Sequence, residues 1–160
     1  MDDDFDFTFA PSAIVYGPRA IKLDPINEGY CYQGSKNSMC VGVSPQQTQN
    51  APGMIGFSTN PLPLAVPQTD ATYPYVPGGS GSLVPVYGPN RRCLIDVDPN
   101  FGGQIAPNDL VISSDSGYAT KASPFGPWNQ WIIGISLSFG SANQTVNIKV
   151  VIFPWSPTGS

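Results

Sequence analysis

Proline and glycine interrupt this chain 18 and 17 times in 160 residues, and neither is tolerated inside a long helix. Proline removes a backbone N–H and clashes with the preceding turn, and glycine loses the most conformational freedom on ordering. No segment shows a 3.6-residue apolar period bounded by caps. The periods that do occur are of two. In "WIIGISLSFG", Trp131, Ile133, Ile135, Leu137 and Phe139 alternate with Ile132, Gly134, Ser136, Ser138 and Gly140. In "TVNIKVVIF", Val146, Ile148, Val150 and Ile152 share one side. Alternation over this length is the mark of a strand with one buried face. The pair, joined by "SANQ", is expected to form a hairpin whose first strand buries Trp131, Ile133, Ile135, Leu137 and Phe139.

Shorter strand candidates fill the rest: "SAIVYG", "AIKL", "GYCYQG", "MCVGV", "LVPVYG", "CLIDV", "DLVIS" and "YATKA". Turn residues separate them, among them "SKNS", "PNRR" and "SDSG". The expected fold is all-β: a small antiparallel β-barrel or β-sandwich. An extended N-terminal arm is expected over 1–12 and a single β domain over 13–160.

Two stretches do not fit a compact sheet. In "DFDFTF", Phe5, Phe7 and Phe9 line one side of a terminal strand. Such a strand can add to the edge of another chain's sheet, or pair within its own. From 44 to 82 the chain is irregular and carries seven prolines, from Pro45 to Pro77, before "PGGSGS". It reads as a linker between lobes, or as an arm lying on a neighbour with Leu62, Leu64, Tyr73 and Tyr75 as its apolar contacts.

Charge narrows the function classes. Charged residues are 11% of the chain, under half of the usual share, and the net charge is −4. Nucleic-acid backbones require clustered cations, and Arg91-Arg92 is the largest such cluster, so direct nucleic-acid binding is not expected. No apolar run reaches the length of a membrane span, and the acidic start, Met1-Asp2-Asp3-Asp4, lacks the pattern of a secretory leader. Synthesis in a cytosol is expected, with no membrane partner.

Catalytic constellations are scarce. The chain has no histidine, which removes Ser-His-Asp and Cys-His arrangements. It has no C-x-x-C and no glycine-rich phosphate loop. "DVDPNFG" starts like a calcium loop at Asp96, Asp98 and Asn100, then departs from that spacing and reads as an Asx-rich turn. Asp109 and Asp115 sit where turns favour aspartate. Cys31 and Cys40 can pair if their strands are adjacent, or remain buried thiols with Cys93. No enzyme activity, metal or cofactor is expected. Trp128, in the loop "PFGPWNQWI", is a contact candidate, whereas Trp131 is expected in the core.

The order of "GGQIAPNDLVISSDSGYATKA" and "WIIGISLSFGSANQTVNIKVVIF" resembles the head-decoration (capsid cement) proteins of tailed bacteriophages, over about residues 83–153. Asn108-Asp109 stands at one turn and Asp115 with Gly117 at the hairpin turn. Ile133-Gly134-Ile135-Ser136-Leu137 stands for the penultimate strand, with serine where alanine is usual. The resemblance implies a structural virion protein on the outer capsid surface. It would be a homotrimer that clamps neighbouring major capsid proteins and stabilises the mature shell. Phe5, Phe7, Phe9, Leu62, Leu64, Tyr73, Tyr75 and Trp128 are then the candidate contacts with capsid or sister subunits. The alternative is a viral β-sandwich adhesin or glycan-binding module, with Trp128, Tyr118 and Tyr87 lining the sugar site.

Overall fold

The computed structural model describes residues 5–45, 83–123 and 129–156. Among them are twelve strands: β1 Phe7–Pro11, β2 Ala20–Leu23, β3 Tyr30–Gln33, β4 Gly42–Val43, β5 Val84–Val86, β6 Arg92–Asp96, β7 Gln104–Ile105, β8 Leu110–Ser113, β9 Ala119–Lys121, β10 Gln130–Ser136, β11 Gly140–Ser141 and β12 Thr145–Trp155. A 3-10 turn, Asp115–Gly117, is the one helical element among the described residues. The chain is all-β. Leu62, Leu64, Tyr73, Tyr75 and Trp128 lie outside the described residues.

The first sheet has the order β4-β2-β3-β1-β5. Its edges meet in an antiparallel bridge between Val43 and Tyr87, with N–H to carbonyl distances of 3.0 and 2.8 Å. The sheet therefore curls into a small barrel. Its apolar cluster contains Val15, Ile21, Cys31, Val84 and Val86, all fully buried, with Phe9, Ile14 and Val41 packed against them. Each such buried aliphatic side chain contributes about 1.5–3 kcal/mol.

The second sheet has the order β6-β12-β10-β8-β9, and a parallel bridge between Val97 and Ala119 draws its edges together. A ribbon of β7 and β11 accompanies it. The larger cluster joins the two sheets: Ala20, Cys40 and Val43 from the barrel side pack with Ile95, Val111, Ile133 and the β12 residues Val146, Ile148 and Val150. The expected buried side of β12 is the observed one, with Ile152 half-buried against this cluster.

Its partner β10 departs from expectation. Register shifts occur between Ile132 and Gly134 on both flanks. Toward β8, Ile133 is the extra residue of a β-bulge, and the buried alternation of Gln130, Ile132, Gly134 and Ser136 runs through it unchanged. Ile133 is buried, but so are Ile132, Gly134 and Ser136. Trp131 and Ile135 are half-buried, and Leu137 and Phe139 are 43% and 64% exposed. A Cβ on Gly134 would lie 2.7 Å from Ile148 Cδ1, so glycine is what lets β12 approach at the bulge.

The N-terminal strand takes the own-sheet course. β1 pairs with β5 in antiparallel fashion through Phe7, Thr8 and Phe9, and with β3 in parallel through Ala10 and Pro11. Each of its flanks is thus paired within the chain over part of its length. Asp6 fastens the entry: its carboxylate accepts from Gly88 N–H at 2.8 Å and pairs with Arg91 at 3.4 Å. The candidate strand "SAIVYG" contributes only a bridge at Val15.

Candidate functional site

Two surface features gather unusual side chains. The first lies where β1, β2 and β3 meet the turn between β2 and β3. Asp24 organises this turn. Its carboxylate accepts from Ser12 Oγ at 2.7 Å, from the N–H groups of Ile26 and Asn27 at 2.8 and 3.1 Å, and from Asn27 Nδ2 at 3.1 Å. This is an Asx turn, and Gly29, at φ +82°, completes the reversal. The Ser12 hydroxyl and the backbone N–H of Ile26 hold the Asp24 carboxyl down to about 2.

The turn presents apolar groups outward. Ile26 is 86% exposed, and Leu23 and Tyr30 are nearly half exposed. With Phe9 they line a groove of about 550 Å³ rimmed by Asp24 and Glu28. Phe7, 42% exposed, extends the strip, its ring centroid 6.0 Å from that of Phe9. Of the expected contact residues, Phe7 is exposed beside this groove and Phe9, half-buried against the barrel core, lines it. Phe5 turns elsewhere and packs on Tyr87 at 5.0 Å. Leu23, Ile26 and Tyr30 were not anticipated, although "DPIN" is a turn signature with an apolar residue at its tip.

The second feature joins the barrel to the second sheet. Arg19, 8% exposed, is fixed through its backbone: Ser44 Oγ accepts its N–H at 3.3 Å, and its carbonyl accepts from Ser44 N–H at 2.8 Å. The guanidinium carbon stands 3.9 Å from the Tyr118 ring centroid and 5.4 Å from that of Tyr16. Nη2 donates to Tyr118 Oη at 2.7 Å, and Nε lies 3.5 Å from Asp96 Oδ2. That Nε is buried without a hydrogen-bond partner. Burial pushes the Asp96 carboxyl up, and the Arg19 charge pulls it back. Arg19, Asp96 and Tyr118 line a cleft of about 250 Å³ with Val97, Pro99, Asn143 and Gln144.

The remaining candidates have structural roles. Asp98 accepts from Asn100 N–H at 2.7 Å and from the Ser114 hydroxyl, an Asx turn rather than the start of a calcium loop. Asp109 accepts from Ala106 N–H at 2.8 Å and pairs with Lys121 at 3.5 Å. Asp115 opens the 3-10 turn, where Ser116 and Gly117 adopt positive φ. Cys31, Cys40 and Cys93 are free and buried; burial pushes the Cys31 and Cys93 thiols up to about 12. Tyr118 lines the Arg19 cleft, whereas Tyr87 packs with Phe5 and Arg91.

No protein-family model matches the chain, and no curated protein matches it. Among solved structures, it is similar to the head fiber gp8.5 N base in bacteriophage phi29, at 13% sequence identity and a TM-score of 0.49, over 91% of this chain and 92% of that one.

Proposed function

We propose that the chain is a structural protein of a tailed-phage virion, bound to the outside of the head through the Phe7, Phe9, Leu23, Ile26 and Tyr30 face. The observation that carries this reading is Ile26, held almost fully exposed at the tip of a hydrogen-bonded turn beside an apolar groove. A turn this well fixed, with its apolar side chain pointing away from both clusters, suits a contact with another protein. The acidic rim of Asp24 with Glu28 suits a coat-protein projection that is apolar with basic flanks. The resemblance over residues 83–153 supports the same role. Of its turn residues, Asn108 and Gly117 adopt positive φ.

In this reading the protein decorates the expanded shell in many copies. It acts as a trimeric clamp between neighbouring major capsid proteins, and multivalency converts modest contacts into lasting attachment. Quantitative mass spectrometry of purified virions of the encoding phage tests it. Hundreds of copies per particle are expected. A handful of copies, or none, would remove the decoration role.

A further inference from the structure

We propose that the cleft between Arg19, Asp96, Tyr118 and the Asn143–Gln144 turn is a binding site for one neutral saccharide unit.

The cleft is built before any ligand arrives. Ser44 holds the Arg19 backbone, Tyr118 carries its guanidinium by stacking and by the bond to Oη, and Asp96 is anchored through its N–H to the Pro18 carbonyl at 2.9 Å. A buried guanidinium N–H left unpaired is costly. Arg19 Nε is such a group, although a carboxylate oxygen lies only 3.5 Å away. It sits behind the cleft that Arg19 lines, so its N–H reports on what the cleft holds.

Charge selects the ligand class. Arg19 and Asp96 bring one positive and one negative group side by side, so an anion would face the carboxylate and a cation the guanidinium. A neutral molecule whose neighbouring groups each donate and accept matches both, and vicinal hydroxyls are that chemistry. Tyr118 Oη accepts from Arg19 and retains its own proton to donate. Gln144 Oε1 is used by Ser141 N–H at 2.9 Å, which leaves its amide N–H groups for a ligand. Asn143, at φ +66°, brings a further amide to the rim. At about 250 Å³ the cleft is below the usual range of drug-sized sites, about 300–1,000 Å³, and suits a single ring.

The arginine side chains provide a direct readout, because the chain has only three of them, Arg19, Arg91 and Arg92. Two-dimensional ¹H–¹⁵N spectra of the full chain would follow their Nε–H signals, assigned with Arg91→Lys and Arg92→Lys. The probes are free glucose, galactose, mannose and N-acetylglucosamine, with sodium acetate and ethylammonium chloride as charged controls. At least one sugar is expected to shift the Arg19 Nε–H and Gln144 side-chain signals saturably in the millimolar range. Tyr118→Phe, which keeps the ring, should weaken that sugar about tenfold, and Gln144→Ala should weaken it as well. Absence of any shift at Arg19, a shift with a charged control alone, or full affinity in Tyr118→Phe would each overturn the proposal. Ile26→Asp should leave the titration unchanged, so failure here and failure of capsid attachment are separable.

Discussion

Arg19 and Tyr118 lie 99 positions apart in sequence and lead into strands of different sheets, yet the Arg19 guanidinium stacks on the Tyr118 ring at 3.9 Å and donates to its hydroxyl at 2.7 Å. Asp96 supplies the opposite charge at 3.5 Å. Replacement of the arginine would lose the stack and leave a partly buried carboxylate without its cation. Arg19→Met should therefore destabilise the protein by about 2–4 kcal/mol in denaturant titrations. The double variant Arg19→Met/Asp96→Asn should lose less than the sum of the two single changes. Additive losses would show that the pair does not act as a unit.

Ile26 separates docking from folding. It touches water over most of its surface, so Ile26→Asp should change stability by no more than about 0.5 kcal/mol. Incorporation into virions, measured as copies per particle, should fall at least tenfold. Normal incorporation of this variant would remove the groove from the attachment surface.

Asp24 ties the same turn to pH. Its carboxyl titrates at about 2 in the folded chain, against an ordinary 3.8, so the ionised form is favoured by folding. That contribution is complete above about pH 4 and fades as the pH falls through about 2. Hydrogen exchange at Ile26 and Asn27, corrected for the intrinsic rate, should accelerate across this interval. Asp24→Asn should remove the pH step. An unchanged profile in Asp24→Asn would assign the step to another group.

Gly42 guards the barrel seam. A Cβ there would fall 2.1 Å from the Tyr87 carbonyl oxygen, the acceptor that Val43 N–H uses to close the sheet. Backbone on both sides cannot retreat without opening that bond. Gly42→Ala should cost about 3 kcal/mol or more. It should also raise exchange at the Val43 and Tyr87 amides before the rest of the barrel. A fully stable Gly42→Ala protein would contradict the close approach.

Much of the fold is legible from local chemistry. The alternation in β12 places Val146, Ile148 and Val150 inward because nothing interrupts its period over the buried part. Turns announce themselves where a positive φ is required, at Asn90, Asn108 and Gly117. The side of β10 is not legible: its apolar alternation selects Trp131, Ile135 and Leu137, yet Ile132, Gly134 and Ser136 are the residues that the neighbouring strands bury, and the bulge at Ile133 is set by those strands as well. The place of β1 is equally a tertiary outcome: an edge-competent strand looks the same whether its partner belongs to its own chain or another. The Arg19 cleft draws on four separate segments. Its one trace in the sequence is an arginine beside Gly17-Pro18 in a chain with few charges.

The seam between Val43 and Tyr87 also defines how the barrel accommodates change. β4 and the end of β5 meet there in a single antiparallel bridge, so the two described arms of the chain run side by side at the seam. The entropy of closing a loop grows only slowly with its length. The number of residues between the two arms therefore weighs little on whether the barrel closes. Closure is decided at the seam itself, by a reciprocal pair of backbone hydrogen bonds.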